Sequence, residues 1–456
     1  MSSDLQEGFK MTELGPLPKE WEVVPLRSLG HISSGGSAPQ GNEYFGGHHP
    51  FVRVQHLDEN GYQVRRWDLI TDEAVRRYRL RAFPAGTIVF PKSGASIRLE
   101  KRAVLAMESY LVSHLCAIVP NGEIVSGEFL FFALKHTRLA ADKAEGYPTL
   151  SLTEIGERLV PLPPLPEQRA IAHVLRTVQK AKEATERVIG ALRELKKSLM
   201  RHLFTYGAVP INKIDQVELK ETEIGPMPRD WEVARLGELG VIMTGRTPST
   251  SHAEYWNGSI PFVTPADLRG GPVRAAERSI THEGLREARP LPRGAVLVSC
   301  IGYIGKVGVV DAEVAVTNQQ INAIIPQNVD GWFLAYSLMR ETHLLESRAR
   351  MTTVPILHKS NFGRVPVPLA PLPQQLAIAE TLRTVDRKIE AEEGRKRALD
   401  VLFKSLLHNL MTGKIRVTTN DARTGDLQTD PKHDKENPDC EGTDPKKESL
   451  FSGKSP

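Results

Sequence analysis

The chain has 456 residues, 40% of them hydrophobic and 25% charged, a balance that supports two to four domains with sizeable cores. No apolar run approaches the ~20 residues of a membrane span, and the N-terminal stretch MSSDLQEGFKMTELG lacks the apolar stretch of a signal peptide, so a cytoplasmic protein is expected. The net charge of +4 is uneven: residues 418–456 carry nine acids against six bases, so the remainder is the more basic part.

The first informative phrase, GPLPKEWEVVPLRSLG from Gly15, returns as GPMPRDWEVARLGELG from Gly225, 210 positions later. Trp21 aligns with Trp231, and Leu29-Gly30 with Leu239-Gly240. A second match closes each copy: PLPEQRAIAHVLRTV from Pro164 answers PLPQQLAIAETLRTV from Pro371, at an offset of 207. The frame is therefore kept while the interior loses three residues. Between these marks the likeness is fainter, but PFVRVQHL at Pro50 faces PFVTPADL at Pro261, and FPAGTIVFPKSGAS from Phe83 faces LPRGAVLVSCIGYIG from Leu291.

Short Val/Ile/Phe runs punctuated by Gly and Pro predict strands and turns, and GEFLFFALKH from Gly127 and GWFLAYSLMR from Gly331 predict helices in matching places. Each copy is thus an α/β (α+β) module of roughly 140 residues followed by a helix, an internal repeat in the sense that one structural unit is encoded twice. The expected layout is an N-terminal segment 1–20, a first module 21–161, a first spacer helix 162–206, a linker 207–230, a second module 231–368, a second spacer helix 369–413, and a polar, disordered tail 414–456. That tail has almost no apolar residues with which to build a core.

Both copies end in PLP before a long Pro-free run. Pro166 and Pro373 suit a first helical position, where a missing N–H costs nothing, and Glu167 suits the positive end of the helix. Apolar residues then recur at spacings of three and four: Ile171, Val174, Val178, Ala181, Val188, Leu192, Leu195 and Leu199. In the second run Ile378, Leu382, Val385 and Ile389 precede a polar break, EAEEGRKR, and Leu399, Leu402, Leu406 and Leu410 follow it. Such seams predict two coiled-coil helices, at 167–204 and 374–411, each roughly 57 Å long and packed antiparallel as a spacer between the modules.

The chemistry-bearing motifs are missing. A phosphate-binding loop needs GxxxxGK[ST], which neither GYIGKVG at Gly302 nor SGKSP at Ser452 provides. The [ND]PP[YF] tetrad of adenine methyltransferases, HExxH and GxSxG do not occur. Cys116, Cys300 and Cys440 form no CxxC pair and read as buried or incidental thiols, and His48-His49 reads as a loop pair rather than a metal site. A doubled scaffold without catalytic motifs points to binding. Residues 74–102 carry eight Lys/Arg against one acid, Glu100, a cluster suited to phosphate; its bland reading is a solvated face. The second module offers Lys306 and then Asn318, Gln319 and Gln320, whose amides match adenine edges as Lys and Arg match guanine, or else form a polar strand edge.

Over residues 11–415 the chain resembles the specificity subunit of type I restriction–modification systems. The doubled GPxPxxWExxxL phrase, the two PFV blocks, the IGK…TNQQ block of the second module and the PLPxQxxIAxxL helix starts carry the resemblance. It implies two target-recognition domains with a near two-fold relation, each reading half of a bipartite double-stranded DNA site and held apart by the spacer helices. It implies no enzyme activity and no cofactor in this chain: two methyltransferase subunits would bind S-adenosylmethionine and methylate adenine, and restriction subunits would supply ATP- and Mg-dependent translocation and cleavage. The DNA-contacting residues expected are Lys92, Ser93, Arg98, Lys101 and Arg102 in the first module, which lacks a clear IGK…TNQQ block, and Gly302, Tyr303, Lys306, Asn318, Gln319 and Gln320 in the second. The competing reading is a coiled-coil scaffold with duplicated protein- or ligand-binding modules and no salt-dependent affinity for DNA.

Overall fold

The computed structural model describes residues 7–59, 61–137, 139, 149–350 and 353–417. Residues 1–6 of the expected N-terminal segment and 418–456 of the expected tail lie outside them. The chain divides into two units, Met1–Gln179 with Phe403–Pro456 and Lys180–Leu402. Each unit contains one module, the start of one long helix and the end of the other.

In the first unit a four-stranded mixed sheet runs Asp68–Ile70, Phe45–Val52, Ser109–Leu111, Ala82–Phe83, with Tyr110 parallel to Phe51. A second, antiparallel sheet runs Gly30–Ser34, Leu115–Pro120, Ile88–Pro91, Ala103–Val104. In the second unit the same order recurs as Arg278–Ile280, Trp256–Val263, Val314–Thr317, Leu291–Pro292, and as Gly240–Thr244, Ile321–Pro326, Val296–Ser299, Val307–Val310, with Pro272–Val273 added at the edge. The buried strands Ile88–Pro91 and Val296–Ser299 are apolar almost throughout because both faces are covered. The helices expected at Gly127 and Gly331 span Gly127–His136 and Gly331–Arg340, and Phe129–Leu134 and Phe333–Leu338 fill the two cores.

The doubled phrase is the clasp of each module. Its strand Glu22–Pro25 pairs antiparallel with Leu159–Leu162, and Glu232–Arg235 pairs with Pro366–Leu369, so the segment that opens a module lies beside the one that leads out of it. The two tryptophans are fully buried. Trp21 donates its indole N–H to Glu167 Oε2 at 3.0 Å, and Trp231 donates to Gln374 Oε1 at 2.9 Å. Each module is thereby tied to the first turn of the helix that follows it. In the first unit Arg416 also grips Glu167 through Nε (2.6 Å) and Nη2 (3.0 Å), so the segment just past the second long helix returns to the same point. Replacing Glu167 with alanine would strand a buried indole donor and a guanidinium. We expect a loss of about 1–3 kcal/mol in the denaturant unfolding of the unit that holds it, with Glu167→Gln keeping the indole bond and losing less.

The long helices span Leu165–Tyr206 and Leu372–Met411. Leucine takes the first helical position in each, so Pro166 and Pro373 stand one residue further in, still among the four N–H groups that a helix start leaves unpaired. Within the second unit the helices run antiparallel, as expected: Lys182 pairs with Asp400 at 2.6 Å, Glu186 with Lys396 at 2.8 Å, Arg193 with Glu393 at 2.7 Å and Lys196 with Asp386 at 2.6 Å. Within the first unit Ile171 and Leu175 share a core with Leu407 and Leu410.

The seam differs from the apolar one expected. Val188, Leu195 and Leu402 are exposed, whereas Ile189, Leu203 and Phe403 are buried. The inward positions of the first helix follow an unbroken three-four spacing: Ile171, Leu175, Val178, Lys182, Thr185, Ile189, Leu192, Lys196, Leu199, Leu203. Those of the second run through the polar break by way of Glu392 and Lys396. Charged residues therefore occupy mid-helix seam positions, where a following of apolar identity alone drifts one residue out of register. Buried charges of this kind fix register at some cost in stability. Lys196 is held there by Asp386, which also accepts from the Tyr336 hydroxyl at 2.6 Å. Burial next to that carboxylate pushes the Tyr336 phenol far above its usual range, so it remains a donor.

Candidate nucleic-acid interface

In the second module the strand Val296–Ser299 turns back through residues 300–306 into Val307–Val310. Gly302 and Gly305 adopt φ of +76° and +86°, which L side chains rarely accept, and a Cβ on Gly305 would lie 2.5 Å from Thr342. Ser299 locks the turn: its hydroxyl donates to the Tyr303 carbonyl at 2.5 Å and accepts from the Lys306 N–H at 2.9 Å. The tip of this rigid loop presents Tyr303, which is 82% exposed, with the Lys306 ammonium 5.6 Å from its ring centre.

The residues after the strand Val314–Thr317 lie against this loop. Cys300 N–H donates to the Gln320 carbonyl at 2.8 Å. Asn318 closes the turn, accepting from the Gln320 N–H at 3.1 Å while its amide meets that of Gln320 at 2.9 Å. Gln319 is exposed and accepts from Thr247 Oγ1 at 2.8 Å. The structure therefore brings all six expected residues of the second module together and separates them by role. Tyr303, Lys306 and Gln319 face outward, while Gly302, Asn318 and Gln320 shape the backbone that presents them.

The neighbouring Gly245 fits only as glycine, since a Cβ there would sit 2.1 Å from the Asn318 carbonyl oxygen. Gly245→Ala is expected to push the 318–320 turn away and to cost about 1–3 kcal/mol, an overpacking penalty measurable by denaturant unfolding. Gly35 holds the matching place in the first module, where a Cβ would sit 2.2 Å from the Leu111 carbonyl oxygen.

In the first module the loop between Ile88–Pro91 and Ala103–Val104 is longer and winds into a 3-10 turn, Ala95–Leu99, with Glu100 at φ +48°. Lys92 N–H donates to the His114 carbonyl at 2.9 Å, the counterpart of the Cys300–Gln320 bond, and Val112 N–H reaches the Val52 carbonyl as Asn318 N–H reaches that of Val263. The missing TNQQ block is thus replaced position for position by Leu111, Val112, Ser113 and His114. His114 is exposed and its Nδ1 lies 2.5 Å from Ser93 Oγ. Sequence reading missed it, because no residue identity survives between the two turns and only the strand pairing reveals their equivalence.

Lys92, Ser93 and Lys101 are partly exposed and Arg98 is exposed. Arg102 is different. It is 2% exposed, and its guanidinium donates to the Glu100 carbonyl (2.7 Å), the Glu100 carboxylate (2.5 Å) and the Thr137 carbonyl (2.9 Å). Its charge is consumed in pinning the loop to the end of the helix Gly127–His136, which leaves it a structural post rather than a surface contact. The thiols of Cys116 and Cys300 are buried, and burial pushes them up to about 12 and about 11, so they are inert as the sequence suggests; Cys440 lies outside the described residues.

The family of type I restriction modification DNA specificity domains matches residues 18–194 and again 228–400. The chain belongs to this family. Its two copies coincide with the two modules and the helices that follow them. Relatives from Methanocaldococcus jannaschii extend the match: the MjaX specificity subunit is 27% identical over 91% of this chain and 98% of its own length, and the MjaVIII specificity subunit 25% identical over 90% and 97%. A crystal structure of a type I restriction–modification S subunit from M. genitalium shares the fold at 14% identity, with a TM-score of 0.59 over 90% of this chain and 98% of that one. As a specificity subunit the chain serves DNA sequence recognition and is the non-catalytic component, with catalysis in partner subunits. No helix among the described residues is long and apolar enough to cross a membrane.

Proposed function

We propose that this specificity subunit reads a bipartite double-stranded DNA target, one half through each module, and directs adenine methylation and restriction by its partners. The observation that carries the reading is the recurrence of one loop-and-turn pair on two equivalent scaffolds, residues 300–306 beside 318–320 and residues 92–102 beside 112–114. In the second module Gln319 offers an amide for a base edge, Tyr303 a ring for stacking and Lys306 a charge for phosphate. In the first, Lys92, Ser93, Arg98, Lys101 and the newly recognised His114 take these roles. Gly302, Asn318, Gln320 and Arg102 hold the loops in shape. Two methyltransferase subunits and restriction subunits complete the assembly in the cytoplasm, and they supply the sites for S-adenosylmethionine, ATP and Mg.

The test is a salt titration of DNA binding by the full chain, alone and with methyltransferase subunits. Phosphate contacts predict that log affinity falls linearly with log salt, and that Lys101→Glu reduces the slope by about 1. Affinity that does not respond to salt, or a Lys101→Glu variant with an unchanged slope in the same complex, would contradict a DNA-reading role and favour a coiled-coil scaffold with protein- or ligand-binding modules.

A further inference from the structure

We propose that His48, His49 and Asp72 in the first module form a binding site for a divalent transition-metal ion of the zinc class. Along a regular strand, neighbouring side chains point to opposite faces, so His48 and His49 should not meet. The strand Phe45–Val52 is not regular. Phe45 and His49 both oppose Ile70 across a bulge, and Gly46 within it adopts φ +82°. The bulge lets both imidazoles reach one carboxylate: His49 Nε2 lies 2.8 Å and His48 Nε2 3.8 Å from Asp72 Oδ1, with the rings 4.1 Å apart between centres. All three ligand atoms fall within 4.8 Å of one another, the one such group among the described residues.

A zinc ion with ligands at about 2.0–2.1 Å in a tetrahedron needs donor atoms roughly 3.4 Å apart, a spacing that the observed ones bracket. Two imidazoles and a carboxylate suit zinc, cobalt, nickel or copper rather than magnesium or calcium. His48 and Asp72 are exposed, leaving an open approach and room for water as a further ligand. His49 is held by the edge of Tyr110, 5.4 Å between ring centres, and Asp72 by the first turn of the helix Asp72–Arg77.

The sister module provides an internal control. There Trp256 and Ile260 oppose Ile280 across the same bulge, so the bulge belongs to the scaffold. Ser259 and Ile260 replace the two histidines, and Ile260 is a core residue only 4% exposed. The fold thus accepts an isoleucine where the first module keeps a histidine facing an acid, so folding alone does not demand the pair. A bound ion would bolt the strand to the helix that carries Arg76 and Arg77 of the basic stretch.

The experiment titrates the full chain with Zn2+ by calorimetry in a non-coordinating buffer, and with Co2+ followed by its visible absorption. Comparison is made with the double variant His48→Ser/His49→Ile, which installs the sister module's residues, and with Asp72→Asn. The wild-type chain should show one site that is weakened by at least about tenfold in either variant, as losing even an outer partner of a metal site does. Zn2+ should also raise the melting temperature of the wild type more than that of the double variant. Wild-type and double-variant isotherms that superimpose, or a wild-type chain that takes up neither ion, would overturn the proposal; a double variant that melts normally without metal makes either result decisive even if Asp72→Asn folds poorly.

Discussion

Replacing Trp231 with alanine is expected to cost about 4 kcal/mol, enough to unfold much of the second unit near physiological temperature. The indole is fully buried and packs edge-on against Phe204 and Phe333 at 6.5 and 5.9 Å between ring centres. Its removal leaves a cavity that the clasp strands, tied to Pro366–Leu369, close only in part, and deprives Gln374 Oε1 of its donor. Trp231→Phe should recover most of the packing but not the hydrogen bond, and so lose about 1–2 kcal/mol relative to wild type. Equilibrium unfolding in urea, followed by circular dichroism, checks both values. A change within experimental error for Trp231→Ala would show that the doubled phrase is not what fastens a module to its helix.

The second large effect concerns DNA discrimination. Gln319→Ala should remove about 1–3 kcal/mol of preference at one base position, relaxing the specificity ratio there by roughly 5- to 150-fold without altering the other positions. Tyr303→Ala should weaken binding to the half-site read by the second module. Because Tyr303 is 82% exposed at a loop tip fixed by Ser299, its loss leaves the unfolding curve in place, so weaker binding cannot be ascribed to a damaged fold. Lys306→Ala should weaken all sequences alike and lower the salt slope. Competition binding of the assembled complex against a library randomised in both half-sites separates these outcomes. A uniform loss for Gln319→Ala would remove that side chain from base reading.

What was legible in the sequence follows from where identity is enforced. Trp21 and Trp231 survive in both copies because each is the fully buried pin of a clasp, and the helices Gly127–His136 and Gly331–Arg340 show because their inward residues fill a core. The long helices were legible as helices, but their seam was not. Lys182, Thr185, Lys196 and Glu392 sit at inward positions, and a search for apolar residues passes them over in favour of Val188 and Leu195, which face water. The second module's candidate site was readable because a turn glycine and amides stand close together in the sequence. In the first module the same place is reached through a longer loop, where charge gives no sign that Arg102 is buried or that His114 stands where Gln320 does. Pairing across strands, which supplies both facts, is a long-range property that no local window contains.

The most direct measurement of the central claim is an exchange of residues 240–360 for the corresponding segment of another specificity subunit, followed by genome-wide mapping of adenine methylation in cells that hold the partner subunits. The expected result is a new target in which one half-site has changed and the other half-site is intact. A target changed in both halves, or unchanged in both, would contradict the assignment of one half-site to each module.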